Sequence, residues 1–172
     1  MASFTNPTTY ATGDDLAVTD VNAVAQNTLF LYQRPYAAFY GSIATIIPTA
    51  TPTQVTLGGT TVNGYGFSVT SNNVIVPITG VYSVSFGVQT GGYGGTGAPY
   101  LSAILYHNGS EAIGGAVVPS YTTLPASTGT GIVSCTAGDT LGLWALQTSG
   151  VNLTTTVAAA VTFVHAYFVG SR

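Results

Sequence analysis

Only seven of the 172 side chains carry a formal charge and lysine is absent, so the chain must stay in water through hydroxyls, amides and exposed backbone. That constraint acts together with its punctuation: glycine- and threonine-rich breaks interrupt short β-prone runs throughout residues 37–169. Short strands at this spacing fold as an antiparallel sandwich, not as βαβ units, which need helical stretches between strands. Low charge also removes much of the desolvation cost of bringing two chains together. A self-associating building block is therefore expected.

The length suits one full domain that buries roughly two thirds of the surface its unfolded chain exposes. Asp14, Asp15, Asp20, Glu111 and Asp139 stand against Arg34 and Arg172 for a formal net charge of -3, which leaves no basic surface for phosphates. Nucleic acid is excluded as an expected partner. Cys135 is the single cysteine, so neither an internal disulfide nor a multi-cysteine zinc site can form. The start, Met1-Ala2-Ser3-Phe4-Thr5-Asn6-Pro7, lacks the basic and apolar segments of a secretory signal. No run reaches the roughly 20 apolar residues a bilayer needs, and membrane insertion is not expected.

The sequence changes character near residue 35. Residues 1–35 read as a polar arm in which Thr19 caps a helix with Val21, Val24, Ala25, Leu29 and Tyr32 at three- and four-residue spacing. A single apolar stripe of this kind must lie on its own domain or on another protein, which marks Val21, Val24, Leu29 and Tyr32 as attachment residues. Arg34-Pro35 ends the helix, because the residue before proline is driven out of the α region.

Residues 36–172 read as the head. Strands are predicted over about 37–47, 53–58, 65–69, 73–77, 80–89, 100–107, 111–118, 129–135, 139–147 and 157–169. Alternation places Tyr82, Val84, Phe86 and Val88 on one face. Leu101, Ile104 and Tyr106 share no parity, which predicts burial on both sides or a bulge. Asn108-Gly109 predicts a type I′ hairpin turn. The last predicted strand is almost continuously apolar, so both its faces should be covered, the outer one by a second copy of the chain. Ala158, Ala160, Phe163, His165 and Tyr167 are the expected interface residues.

Chemistry is sparse. His107 adjoins the hairpin turn and is expected to face solvent, with ligand contact as the other reading; His165 is expected to be a hydrogen-bonded core or interface residue. Cys135 is expected to be a buried small hydrophobe. Glu111 and Asp139, the only acids of the head, do not form a cleft-like pair for glycoside hydrolysis, and Asp14, Asp15 and Asp20 lack calcium-loop spacing. No catalytic residue, cofactor or metal is expected. Tyr93, Tyr100, Tyr106, Tyr121 and Trp144 could bury area against a carbohydrate or a host surface without charge. Of these, Tyr93, Tyr100 and Tyr121, with His107, are the surface-ligand candidates, and Trp144 is expected to pack in the core.

Four segments in order, Tyr65-Gly66-Phe67 with Asn73 to Phe86, Leu101 to Gly109, Ala137 to Trp144 and Phe163 to Val169, resemble the C1q/TNF-like jelly-roll family over about residues 60–169. The resemblance implies a ten-stranded jelly roll that forms homotrimers about an apolar threefold axis. It does not imply calcium here, because the family's calcium ligands have no counterparts that can be placed. The arm from Tyr10 through Arg34-Pro35 looks like the start of small bacteriophage tail, fibre and head-decoration proteins. It implies a virion location, with other virion proteins as partners of the arm. The expected role is a trimeric virion knob; the alternative is an adhesion module for a host-surface glycan.

Overall fold

A computed structural model describes residues 21–25, 28, 34–64, 66–92, 99–119 and 124–171. Two compact units divide the chain, Met1–Arg34 and Pro35–Arg172. In the first, residues 21–25 and 28 are helical, and the Thr28 hydroxyl donates to the Val24 carbonyl one turn back at 2.9 Å. Val21 and Val24 are exposed. The attachment candidates Leu29 and Tyr32 lie outside the described residues.

The second unit is an antiparallel jelly-roll sandwich. Its strands are β1 (Tyr36–Gly41), β2 (Ile46–Ile47), β3 (Thr53–Gln54), β4 (Leu57–Gly64), β5 (Ser68–Thr70), β6 (Asn73–Ile75) and β7 (Gly80–Gln89). They continue with β8 (Tyr100–His107), β9 (Ser110–Gly114), β10 (Val118–Pro119), β11 (Ala126–Cys135), β12 (Thr140–Gln147), β13 (Leu153–Thr154) and β14 (Phe163–Gly170). Ten strands were expected and fourteen segments occur among the described residues; four of them, β2, β3, β10 and β13, are only two residues long. The predicted 37–47 strand is two pieces, because the chain leaves one sheet at Gly41 and pairs again only at Ile46, with β13.

One layer is a five-stranded sheet in the order β11-β7-β14-β1-β4. The other runs β10-β8-β12-β6-β5, with β3 on β12 and β9 on β8. β12 shares one edge between two short partners, β6 at Thr140 to Gly142 and β3 at Trp144 and Ala145. A small pair, β13 with β2, completes the unit.

Alternation fills the space between the layers. Tyr82, Val84, Phe86 and Val88 of β7 are fully buried, with Ala37 and Phe39 of β1 and Val164, Ala166 and Phe168 of β14 beside them. Leu101, Ala103, Leu105, Leu141, Leu143 and Val74 come from the opposite sheet. Tyr82 meets Phe67 and Phe168 edge to face, at 5.9 and 5.5 Å between ring centroids, the arrangement that places a ring's positive edge on its neighbour's negative face. Its hydroxyl donates to the Ile78 carbonyl at 2.9 Å, and burial drives its pKa far above the usual tyrosine value.

β8 is buried at every position from Leu101 to Leu105, and its pairing with β9 slips between Leu105 and Tyr106. Both readings of its broken parity therefore apply. Asn108 and Gly109 sit at φ of 50° and 78°, the positive values a type I′ turn requires.

Two expectations are corrected. The closing strand begins at Phe163, not at residue 157. Residues 159–161 form a turn in which the amides of Val161 and Thr162 both donate to the Ala158 carbonyl. Alanine packs poorly on a pleated surface, so this alanine-rich run closes locally and does not extend the ladder. Trp144 is half-buried on the outer side of its sheet, against Tyr106 at 4.7 Å and 27°, and does not belong to the core.

Candidate functional site: the outer face of the five-stranded sheet

None of the five strands of this sheet contains Asp, Glu, Lys or Arg. The residues of β14 that alternate with Val164, Ala166 and Phe168 are Phe163, His165, Tyr167 and Val169, so these four point away from the core. Register then sets their neighbours. Phe163 pairs with Tyr40 on one side and Gly87 on the other; His165 pairs with Ala38 and Ser85; Tyr167 pairs with Tyr36 and Ser83. An aromatic stripe across β1 and β14 results, flanked by the hydroxyls of β7.

The rings lie down on the sheet. Tyr36 and Tyr167 stack at 6.1 Å with planes 10° apart, and Phe163 and His165 sit 4.5 Å apart at 31°. Glycine on the next strand makes the room. A Cβ at Gly64 would stand 2.8 Å from the Tyr36 ring and one at Gly87 2.9 Å from the Phe163 ring, while one at Gly59 would collide with the Tyr40 ring. Aromatic rings folded over cross-strand glycines give a low, smooth, uncharged surface to which another backbone can come close.

In a single chain this surface is only partly covered. Tyr167 and Val169 are 52% and 50% exposed, and Ile132 on β11 and Val62 on β4 extend the apolar area on either side. His165 is half-buried, and desolvation lowers its pKa below the usual imidazole value, so the ring favours its neutral form. A neutral imidazole is compatible with further burial.

Of the five residues expected at an interface, Phe163, His165 and Tyr167 share this face. Ala158 and Ala160 lie before β14, Ala158 just ahead of the turn that precedes it and Ala160 inside that turn. The partners supplied by β1, Tyr36 and Tyr40, were missed from sequence. Their i, i+4 spacing was visible, but only sheet pairing places β1 beside β14.

Of the surface-ligand candidates, the two among the described residues, Tyr100 and His107, stand at opposite ends of β8. Tyr93 and Tyr121 lie outside the described residues. Tyr100 is half-buried at the start of β8, where its backbone amide donates to the Thr148 hydroxyl at 3.1 Å. His107, at the far end of the same strand, is not simply solvent-facing: its Nε2 lies 2.9 Å from Asp139 Oδ2. Cys135 is fully buried, as expected of a small hydrophobe.

No protein-family model matches the chain, and no curated protein matches it. Solved structures do. Murine APRIL superposes with a TM-score of 0.63 at 13% identity, covering 79% of this chain and 99% of that one. The Eiger TNF of S. frugiperda gives 0.59 at 17% identity, covering 81% and 96%. At these identities the likeness establishes the TNF-like jelly-roll fold.

Proposed function

We propose that the chain is a non-catalytic, homotrimeric jelly-roll module that serves as a virion appendage: a head-fibre, decoration or tail knob of a bacteriophage. The observation that carries self-association is the charge-free aromatic face of the five-stranded sheet, with Tyr36, Tyr40, Phe163, His165 and Tyr167 spread over two paired strands. Covering one large apolar side chain contributes about 1.5–3 kcal/mol, and several per subunit outweigh the loss of translational freedom. The TNF-like fold supports closure about a threefold axis, and the arm's resemblance to phage tail and decoration proteins supports attachment to a particle through residues 1–35.

Sedimentation equilibrium tests the assembly. The wild-type protein is expected to run as a trimer at micromolar concentration, and Tyr167→Asp, which places a charge on the face, to run as a folded monomer. A monomeric wild type overturns the reading. Electron microscopy of intact particles tests the virion role by copy number and position.

The second reading is adhesion to a host-surface glycan. It is favoured by the outward Tyr106 and Trp144 pair, beside which the Gln54 amide donates to Asn73 Oδ1 at 2.9 Å. Aromatic faces with neighbouring amides suit the apolar faces and hydroxyls of a sugar. A sugar that perturbs Trp144 fluorescence would favour this reading over a purely structural role.

A further inference from the structure

The hairpin after β8 and the turn between β11 and β12 meet at one end of the head, and they bring three different donor types together. A ring nitrogen of His107, the Sγ of Cys135 and a carboxylate oxygen of Asp139 all lie within 4.8 Å of one another. They come from three places in the chain: the last residue of β8, the last residue of β11 and the residue just before β12. We propose that His107, Cys135 and Asp139 form a binding site for a zinc-like divalent cation, with solvent completing the coordination.

The donor set suits such an ion. Thiolate and imidazole select borderline-soft metals, and one thiolate, one imidazole and one carboxylate leave a fourth tetrahedral position. Tetrahedral bonds of about 2.0–2.3 Å put the donor atoms roughly 3.3–3.6 Å apart. The His107 to Asp139 separation of 2.9 Å must therefore open by a few tenths of an ångström, and the thiol must close by at most about 1.5 Å.

The surroundings of the donors are already arranged. Asp139 Oδ2 accepts from the Thr136 amide at 2.7 Å, and its Oδ1 accepts from the Asn108 side-chain amide at 2.9 Å. Asn108 is itself held, because its Oδ1 accepts from the Thr140 amide at 2.9 Å. The carboxylate is thus aimed before any ion arrives, which is the part outer hydrogen bonds play in metal sites. His107 and Asp139 are 25% and 20% exposed at the side chain and give a way in, while Cys135 forms the buried floor. Coordination replaces the Cys135 S–H bond with an S–metal bond and releases that proton to solvent, while the imidazole proton shared with Asp139 moves to the other ring nitrogen of His107, so that the ring ligates as the neutral form.

Tag-free, reduced, full-length protein titrated with Co²⁺ and then Zn²⁺ tests the site. One equivalent of Co²⁺ per chain is expected to produce a thiolate-to-cobalt charge-transfer band that Zn²⁺ abolishes, and Zn²⁺ is expected to raise the melting temperature. Cys135→Ser removes the band, and His107→Asn, at a partly exposed position, weakens binding at least tenfold while circular dichroism stays that of a folded sheet protein. Asn108→Ala is the positioning variant: it keeps the band and lowers the affinity about tenfold. No band with saturating Co²⁺, a band that survives in Cys135→Ser, or equal Zn²⁺ effects on wild type and His107→Asn overturns the site and leaves His107 and Asp139 as a structural clip only.

Discussion

Asp139 shows how one charged residue can hold two turns in a chain that has few charges. The backbone hydrogen bond from Thr136, then those from Asn108 and His107, lower its pKa from 3.8 to about 2. Because the folded-state value lies below the unfolded one, its contribution is present above about pH 4 and is lost as pH falls toward 2. Asp139→Asn is expected to lower the melting temperature at pH 7 and to flatten the stability profile between about pH 4 and 2, as read by thermal melts across that range. His165 works in the opposite sense to a paired histidine. Burial lowers its pKa, so the unfolded chain takes up a proton first and stability declines as pH drops below the unfolded value of about 6.5.

At the scale of elements, the pairing of β14 with β1 decides what the outer face looks like. Three of the outward rings depend on an absent side chain across the ladder: Tyr36 on Gly64, Phe163 on Gly87 and, most tightly, Tyr40 on Gly59. Gly59→Ala is expected to lift the Tyr40 ring and roughen the face. The trimer should weaken, with a dissociation constant raised about tenfold or more, while the monomer loses no more than about 1–3 kcal/mol, the usual range for overpacking. Analytical ultracentrifugation alongside urea melts separates the two effects. β14 itself was legible from its apolar run, but its start was not. Hydrophobicity marks burial and says little about whether an alanine-rich stretch will pair, and Ala158 could satisfy two amides locally without a ladder.

For the whole molecule, the division at Arg34 and Pro35 separates a helical segment from a sandwich with its own core. Removing residues 1–34 is therefore expected to leave the melting temperature of the head within a few degrees of wild type and to abolish incorporation into particles. Differential scanning calorimetry and particle composition check the two parts. Loss of folding on removal would contradict the separate core, and undiminished incorporation would contradict the arm as anchor.

The sequence by itself determined the class of the fold, because alternation in β7, the Asn108-Gly109 turn and the dense punctuation are local signals that each admit few conformations. It also determined that nearly all contacts would be made without ions. Tertiary structure alone decided which residues share a face: Tyr36 and Tyr40 reach Tyr167 and Phe163 from more than a hundred residues away, and His107, Cys135 and Asp139 converge from two strand ends and a turn. Such neighbours are set by strand register and by the closing of two sheets on one core, and neither leaves a trace in the spacing of residues along the chain.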